Sequence, residues 1–182
     1  MTTAIAPTTN AWKIDPSHTT VEFSAKHIMF TTVKGRFANV DGSITIEGDN
    51  PAASAVSVTM ETASIDTRNE QRDGHLRSPD FLDAAQYPAV TFASTKIVGD
   101  KDAFRMTGDL TIRGTTRPVT LDVTYEGQGT DPWGGERIGF SAAGKIDRRE
   151  FGLTWNQALE AGGVLVSNEI KIQIDAQIIR AG

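Results

Sequence analysis

The sequence predicts an all-β domain built on antiparallel strands. Polar and apolar residues alternate over long segments, as in Phe104–Ile112 (FRMTGDLTI), and glycine-containing turn signals separate these segments. Alternation with a period of two places successive side chains on opposite faces of a strand. One apolar face per strand, with short connections between strands, is typical of an antiparallel sheet that is solvated on its outer side. A sandwich and a closed barrel both satisfy this pattern.

At least eight strands are predicted along the chain, in one domain. Strong alternation marks residues 21–27, 104–112, 119–125, 138–146 and 170–178, and further strands are expected at 38–47, 55–61 and 89–98. Turn signals such as Gly99-Asp100 and Arg113-Gly114 lie between them. We expect residues 1–10 to be a flexible, threonine-rich leader and residues 11–182 to form the domain, since 182 residues is an ordinary single-domain length.

One segment, RDGHLRSPDFLDAAQYP at residues 72–88, does not alternate. Residues 69–77 are predicted to form a short helix that ends at Ser78-Pro79, because the residue before a proline avoids the helical region. Its charged side chains offer either an acid, a base and an anion-binding arginine, or a set of hydrogen bonds that hold the helix against the strands. We interpret them as a structural brace. The apolar underside of this segment is expected to be Leu76, Phe81, Leu82 and Tyr87.

Composition excludes several classes of function. A net charge of −5 and a pI near 5.2 argue against a nucleic-acid partner. The absence of cysteine excludes thiol catalysis and cysteine-ligated metal sites. No apolar run has the roughly 18 residues that suggest a membrane span. No signal segment is visible, so we expect a cytoplasmic protein unless an export signal has been removed.

The common enzyme motifs are missing from the sequence, including the phosphate loop, GxGxxG, HExxH and GxSxG patterns. We predict no catalytic residue, no cofactor and no metal site. The three histidines are not spaced to share one helix face, and His27, at the end of its strand, is expected at a rim. A hydrolase or lyase that uses His75 with Asp73 or Asp80 is the alternative from a different class.

Small residues on the apolar faces leave the nature of the interior open. Ala25, Gly108, Ala142, Gly144 and Ala176 either leave space inside or face bulky partners in an ordinary packed core. An eight-stranded barrel is wide enough to hold one small ligand.

Four blocks resemble the YceI-like proteins, a lipocalin-shaped polyisoprenoid-binding family. They are WKIDPSHTTVEFSAKHIMFTTVKGRF (12–37), similar to an opening strand and following loop, the helical signature RDGHLRSPDFLDAAQYPAVTFAS (72–94), the hairpin GDLTIRGTTRPVTLDV (108–123), and the turn DRREFGLTW (147–155). The resemblance implies an extended eight-stranded antiparallel β-barrel, lipocalin-like, with the short helix packed across it around a long apolar tunnel. It also implies a polyisoprenoid, isoprenoid quinone or similar amphiphile as ligand, and a possible homodimer.

We therefore predict noncovalent binding of a long-chain apolar ligand, for carriage, storage or sequestration, and no enzymatic activity. A dimerisation module with a filled interior is a third hypothesis. Methionine suits a lining that accepts variable shapes, and tryptophan suits a mouth. Trp133 is either a second mouth residue or an exposed turn residue. The predicted ligand-binding residues are Phe23, Met60, Phe92, Met106, Leu110, Leu121, Val123, Phe140, Ala142, Trp155 and Ile172.

Overall fold

The computed structural model describes residues 10–47 and 50–181, and it is built almost entirely from antiparallel β-strands. An α-helix, α1, covers Glu70–Arg77, and short 3-10 turns join some of the strands. The strands are β1 (Asn10–Ile14), β2 (Thr20–His27), β3 (Thr31–Phe37), β4 (Val40–Ile46), β5 (Ala55–Glu61), β6 (Ile65–Asp66), β7 (Ala89–Gly99), β8 (Ala103–Ile112), β9 (Thr115–Thr130), β10 (Glu136–Asp147) and β11 (Glu169–Arg180).

The eleven strands make eight ribbons of one closed barrel. Strands β1 and β2 are consecutive parts of one bent ribbon, and β3 and β4 are consecutive parts of the next ribbon. These two ribbons form a hairpin, in which β2 pairs with β3 near the turn and β1 pairs with β4 further from it. In the same way, β5 pairs with β4 and β6 pairs with β3. The ribbons then follow chain order through β7, β8, β9, β10 and β11. Strand β11 closes the barrel by pairing with both β1 and β2, which confirms the predicted eight-stranded barrel.

The alternating strand directions give the barrel two different ends. The helical end carries the β2–β3 hairpin at residues 28–30, the segment 67–88 with α1, the turn at Arg113-Gly114 and the long connection 148–168. The opposite end carries the turns 100–102 and 131–135, together with the start of β1 and the end of β11. Among the described residues, no helix has the length and apolar character needed to cross a lipid bilayer.

Helix α1 forms where the sequence predicts it. The Asn69 side chain caps its first turn by accepting a hydrogen bond from the backbone N–H of Arg72 at 2.9 Å. The helix ends at Ser78, directly before Pro79. The predicted range 69–77 therefore consists of the cap and the helix proper.

Two segments at the N-terminal side differ from what the sequence predicts. The segment Thr31–Phe37 was expected as a loop after the first strand, but it is strand β3 and pairs with β2 from Glu22↔Arg36 to His27↔Thr31. Residues 1–9 of the predicted leader lie outside the described residues. Asn10, its last residue, begins β1 and pairs with Ile46.

A polar cluster fixes the bend between β1 and β2. One oxygen of Asp15 accepts hydrogen bonds from the N–H and hydroxyl of Ser17 at 3.0 and 2.7 Å. Its other oxygen contacts His18 Nδ1 at 2.9 Å and Arg137 Nη1 at 2.5 Å. The carboxylate is buried, and these partners, Ser17 first, hold the pKa of Asp15 well below its usual range.

Replacing Asp15 with asparagine is expected to lower the free energy of unfolding by about 1–3 kcal/mol at neutral pH. Because the pKa of Asp15 is lower in the folded chain than in the unfolded chain, its contribution is present above about pH 4 and is lost as the pH falls further. Urea denaturation between neutral and acid pH should show the two proteins converging in stability below about pH 4. The exposed Asp109→Asn variant is the control, and a constant Asp15→Asn deficit at all pH values would contradict the linkage.

Candidate ligand-binding site

The barrel interior contains an apolar cavity of about 1300 Å³. This is larger than the roughly 300–1,000 Å³ of most small-molecule sites. Its wall is the inward face of all eight ribbons, which the alternation of the sequence makes apolar. The structure therefore contradicts the filled interior that the dimerisation-module hypothesis requires.

All eleven predicted ligand-binding residues lie on the wall of this one cavity. Neighbouring strands supply neighbouring positions, as where Phe92 of β7 pairs with Leu110 of β8 and Ala142 of β10 pairs with Val123 of β9. Their contact with a ligand stays a prediction. The eleven residues are Phe23, Met60, Phe92, Met106, Leu110, Leu121, Val123, Phe140, Ala142, Trp155 and Ile172.

The inward glycines do not create the empty space. A Cβ at Gly108 would overlap the ring of Phe92, and one at Gly144 would lie 2.6 Å from Leu121 Cδ2. Each glycine thus accommodates a bulky neighbour, as in the packed-core interpretation of these residues. The cavity arises instead because eight ribbons close at a radius that their inward side chains do not fill.

Helix α1 and the segment after it cover much of the helical end of the cavity. Leu76, Phe81 and Leu82 line the cavity from this side, as expected for the underside of the helical segment. The ring of His75 stands edge-on to Trp155 and Phe81, with centroids 4.7 and 5.0 Å away. This aromatic cluster joins α1 to the connection 148–168, and it places Trp155 at an end of the cavity, where the sequence predicts it.

The charged residues of α1 hold the helix by hydrogen bonds to the neighbouring backbone. The buried carboxylate of Asp73 accepts from the N–H and the hydroxyl of Thr67 at 2.9 and 2.5 Å. Arg72 donates to the Thr67 hydroxyl and carbonyl, both at 2.7 Å. Arg77 donates to the carbonyl of Ala63 at 3.0 Å. These contacts are those of a brace between α1 and the residues around β6.

The catalytic alternative has only one of its two proposed pairs. His75 Nε2 lies 2.9 Å from Asp80 Oδ2, whereas the hydrogen bonds of Asp73 go to Thr67. Both His75 and Asp80 are partly exposed, with side chains 39% and 54% accessible. No hydroxyl nucleophile lies within hydrogen-bond reach of the His75 ring in the described part of the chain.

Arg148 is a buried residue of the site that the sequence analysis did not single out. It lies on the cavity wall with 3% of its surface exposed. Its guanidinium donates to the carbonyls of Ser167 at 2.9 Å, Leu153 at 2.6 Å and Trp155 at 2.9 Å. Burial lowers the pKa of Arg148 from its ordinary value. Arg148 therefore organises the connection 148–168, and the available signal was its position in the DRREFGLTW block.

The remaining sequence candidates lie at the two ends. His27 is exposed at the end of β2 and lines the cavity, which agrees with its predicted rim position. Trp133 is 87% exposed in the β9–β10 turn and is not part of the cavity wall, so it is an exposed turn residue. Within residues 10–47 and 50–181, no three His, Asp or Glu side chains come together as a metal site.

A closed antiparallel barrel of eight ribbons with an empty apolar interior defines a lipocalin-like barrel. The chain belongs to the YceI-like domain family, whose sequence profile matches residues 12–178. Protein YceI of Escherichia coli O157:H7 is 47% identical over 144 residues, which are 78% of this chain and 75% of that protein.

Two solved structures share the fold. The Campylobacter jejuni YCEI protein is 33% identical and superposes with a TM-score of 0.73 over 86% of this chain and 90% of that one. A polyisoprenoid-binding domain from Saccharophagus degradans, described as implicated in plant cell wall breakdown, superposes with a TM-score of 0.66 at 14% identity. That superposition covers 94% of this chain and 99% of the Saccharophagus domain, and it shows the fold alone.

Proposed function

We propose that this protein binds a long-chain apolar ligand noncovalently inside its barrel. The proposed ligand is a polyisoprenoid, an isoprenoid quinone or a similar amphiphile. Binding serves to carry, store or sequester this ligand. The observation that supports this function most directly is the empty, apolar cavity of about 1300 Å³. Each ligand CH₂ transferred from water into such an interior contributes about 0.8 kcal/mol, so a long hydrocarbon tail binds tightly without special polar contacts.

The extent of the cavity along the barrel agrees with a long ligand. Exposed residues line it at the helical end, where His27 lies, and also at the opposite end, where Lys101 and Arg180 lie. The cavity thus runs through the barrel, and polar groups are concentrated at its ends. The relationship to a polyisoprenoid-binding domain of the same fold supports the ligand class.

We further propose that the protein has no catalytic activity. Several polar groups on the cavity wall make structural contacts, such as those of Arg148 to backbone carbonyls and those of Arg72 to Thr67. We also expect a homodimer. Light scattering after size-exclusion chromatography measures the molar mass that tests this expectation.

Freshly purified protein is expected to carry its ligand, and native mass spectrometry should show an adduct above the mass of the polypeptide. Solvent extraction should then release a molecule with a long apolar tail. Protein stripped by this extraction and refolded should regain an adduct when it is mixed with a long-chain isoprenoid quinone. A bare polypeptide mass, together with no uptake of the quinone, would count against the proposed function.

A further inference from the structure

In the part of the chain that the structure describes, the large exposed apolar side chains are concentrated at the tip of one hairpin. Ile28, Met29 and Phe30 connect β2 to β3 and are 38%, 55% and 83% exposed. We call these three residues the apolar tip. Within the described residues, only Val98 and Trp133 are comparable exposed apolar side chains, and both lie near the opposite end of the barrel. Three consecutive exposed apolar residues indicate a contact surface.

The backbone of the apolar tip is unusual for these residue types. Ile28 and Met29 have φ values of 52° and 67°, where glycine, asparagine or aspartate is normally found in a short hairpin loop. A β-branched residue such as isoleucine is disfavoured there. The conformation is held by hydrogen bonds from the Ile28 N–H to the Leu165 carbonyl at 2.9 Å and from the Phe30 N–H to the His27 carbonyl at 3.1 Å. The chain thus keeps apolar residues exposed in a position that neither solubility nor backbone preference favours.

A positively charged surface lies next to the apolar tip, although the whole chain carries a net charge of −5. Lys34 of β3 and Lys171 of β11 both pair with Ser24 of β2, and Lys145 of β10 pairs with Lys171. These positions form a row across four adjacent strands that is about 15 Å wide and about 14 Å from Phe30. Lys26 lies two residue pairs closer to the tip than Lys34 does.

We call Lys26, Lys34, Lys145 and Lys171 the lysine patch. Lys34 lies 3.6 Å from Glu22 and Lys145 lies 3.8 Å from Glu169. In the part of the chain that the structure describes, Lys26 and Lys171 have no carboxylate within 4.0 Å. Placing Lys145 directly opposite Lys171 is unfavourable for the isolated sheet. The patch therefore has an excess of positive charge that suits an anionic partner.

The cavity reaches the surface beside these two features. Lys26 and His27 are exposed and line the cavity from β2, and Asn69 and Gln71 are exposed and line it from the first turn of α1. Leu165, which accepts the hydrogen bond from the apolar tip, also lines the cavity. A mouth of the cavity thus lies between the hairpin and the helix.

We propose that the apolar tip and the lysine patch dock the barrel on an anionic lipid bilayer, with this mouth turned towards the membrane. Apolar side chains enter the boundary between headgroups and acyl chains, and the lysines lie over the anionic headgroups. Docking itself does not depend on what the cavity holds. Transfer of a ligand between bilayer and cavity rests on the proposed function.

Vesicle co-sedimentation tests the docking. The protein is expected to bind phosphatidylcholine vesicles that contain phosphatidylglycerol, to bind pure phosphatidylcholine much less, and to dissociate at high salt. The Met29→Ser/Phe30→Ser variant should bind anionic vesicles about tenfold more weakly, since it removes the inserted apolar surface. The Lys26→Gln/Lys171→Gln variant should lose about fivefold per lysine. Trp133→Ser, which removes an equally exposed aromatic residue at the other end, is the matched control and should not change the binding.

Three outcomes would overturn the docking surface. They are no sedimentation of the wild-type protein with anionic vesicles, an equal loss in Trp133→Ser, or a tip variant that turns a dimer into a monomer without losing vesicle binding. The last outcome would mean that the tip contacts a second copy. Uptake of a fluorescent fatty acid from aqueous solution separates the two proposals, because the tip variant should retain it. If the wild-type protein takes up no such probe yet binds vesicles, the docking surface stands and the proposed function fails.

Discussion

Asp73→Ala is expected to destabilise the barrel by about 2–4 kcal/mol. The Asp73 carboxylate is 4% exposed and accepts hydrogen bonds from both the N–H and the hydroxyl of Thr67, which is also buried. Alanine leaves two buried donors without an acceptor, and the hydroxyl also accepts the hydrogen bond from Arg72. The measurement is urea denaturation followed by circular dichroism.

Asp80→Ala is the matched control for this prediction, because it removes a carboxylate from the same segment. Asp80 contacts His75, but its side chain is 54% exposed, so we expect a loss below about 1 kcal/mol. The brace interpretation predicts this order of effects in the absence of any ligand. Equal stability of the Asp73→Ala variant and the wild-type protein would contradict it.

The Ala142→Trp variant is expected to weaken binding of a long-chain ligand at least about tenfold, because a bulky side chain would occupy the middle of the cavity. Ala142 is a buried cavity residue of β10, between Val123 of β9 and Ile174 of β11, which also line the cavity. In a close-packed core, the added ring would also destabilise the fold by about 1–3 kcal/mol or more. In the hollow barrel observed here, we expect little change in the free energy of unfolding.

Binding is measured with a fluorescent polyene fatty acid and with competition by an isoprenoid quinone, beside urea denaturation of the same variants. Ala143→Trp is the matched control, since the next residue of β10 is exposed on the outside of the barrel. It should change neither binding nor stability appreciably. Unchanged affinity in Ala142→Trp would show that the probe binds elsewhere, and strong destabilisation would show that the interior has no room.

Much of the fold could be predicted from local patterns. In β8, Met106, Leu110 and Ile112 are buried while Arg105 and Asp109 are exposed, as the alternation requires. Helix α1 follows from its asparagine cap and from the proline after Ser78. Strand β3 is an exception: the segment resembles a loop, although Val33 and Phe37 are half-buried while Lys34 and Arg36 between them are exposed.

The candidate site likewise has features that the sequence predicts and features that it does not. Which side chains face the interior was predictable, because the side-chain period of a strand is a local property, and all eleven predicted residues line the cavity. The Arg148 contacts were not predictable, since their carbonyl partners belong to a connection without periodic structure. The lysine patch also needs the pairing of four strands, which brings together residues as distant in the chain as Lys34 and Lys171.

Local sequence patterns therefore specify most of the strands, the helix and the apolar face of each strand, because these depend on neighbours within a few residues. That the barrel is hollow follows only from its three-dimensional closure. Its interior depends on the radius at which β11 closes onto β1 and β2, and on whether side chains from opposite walls meet across that distance. Both quantities are set by long-range pairing, which local alternation does not specify.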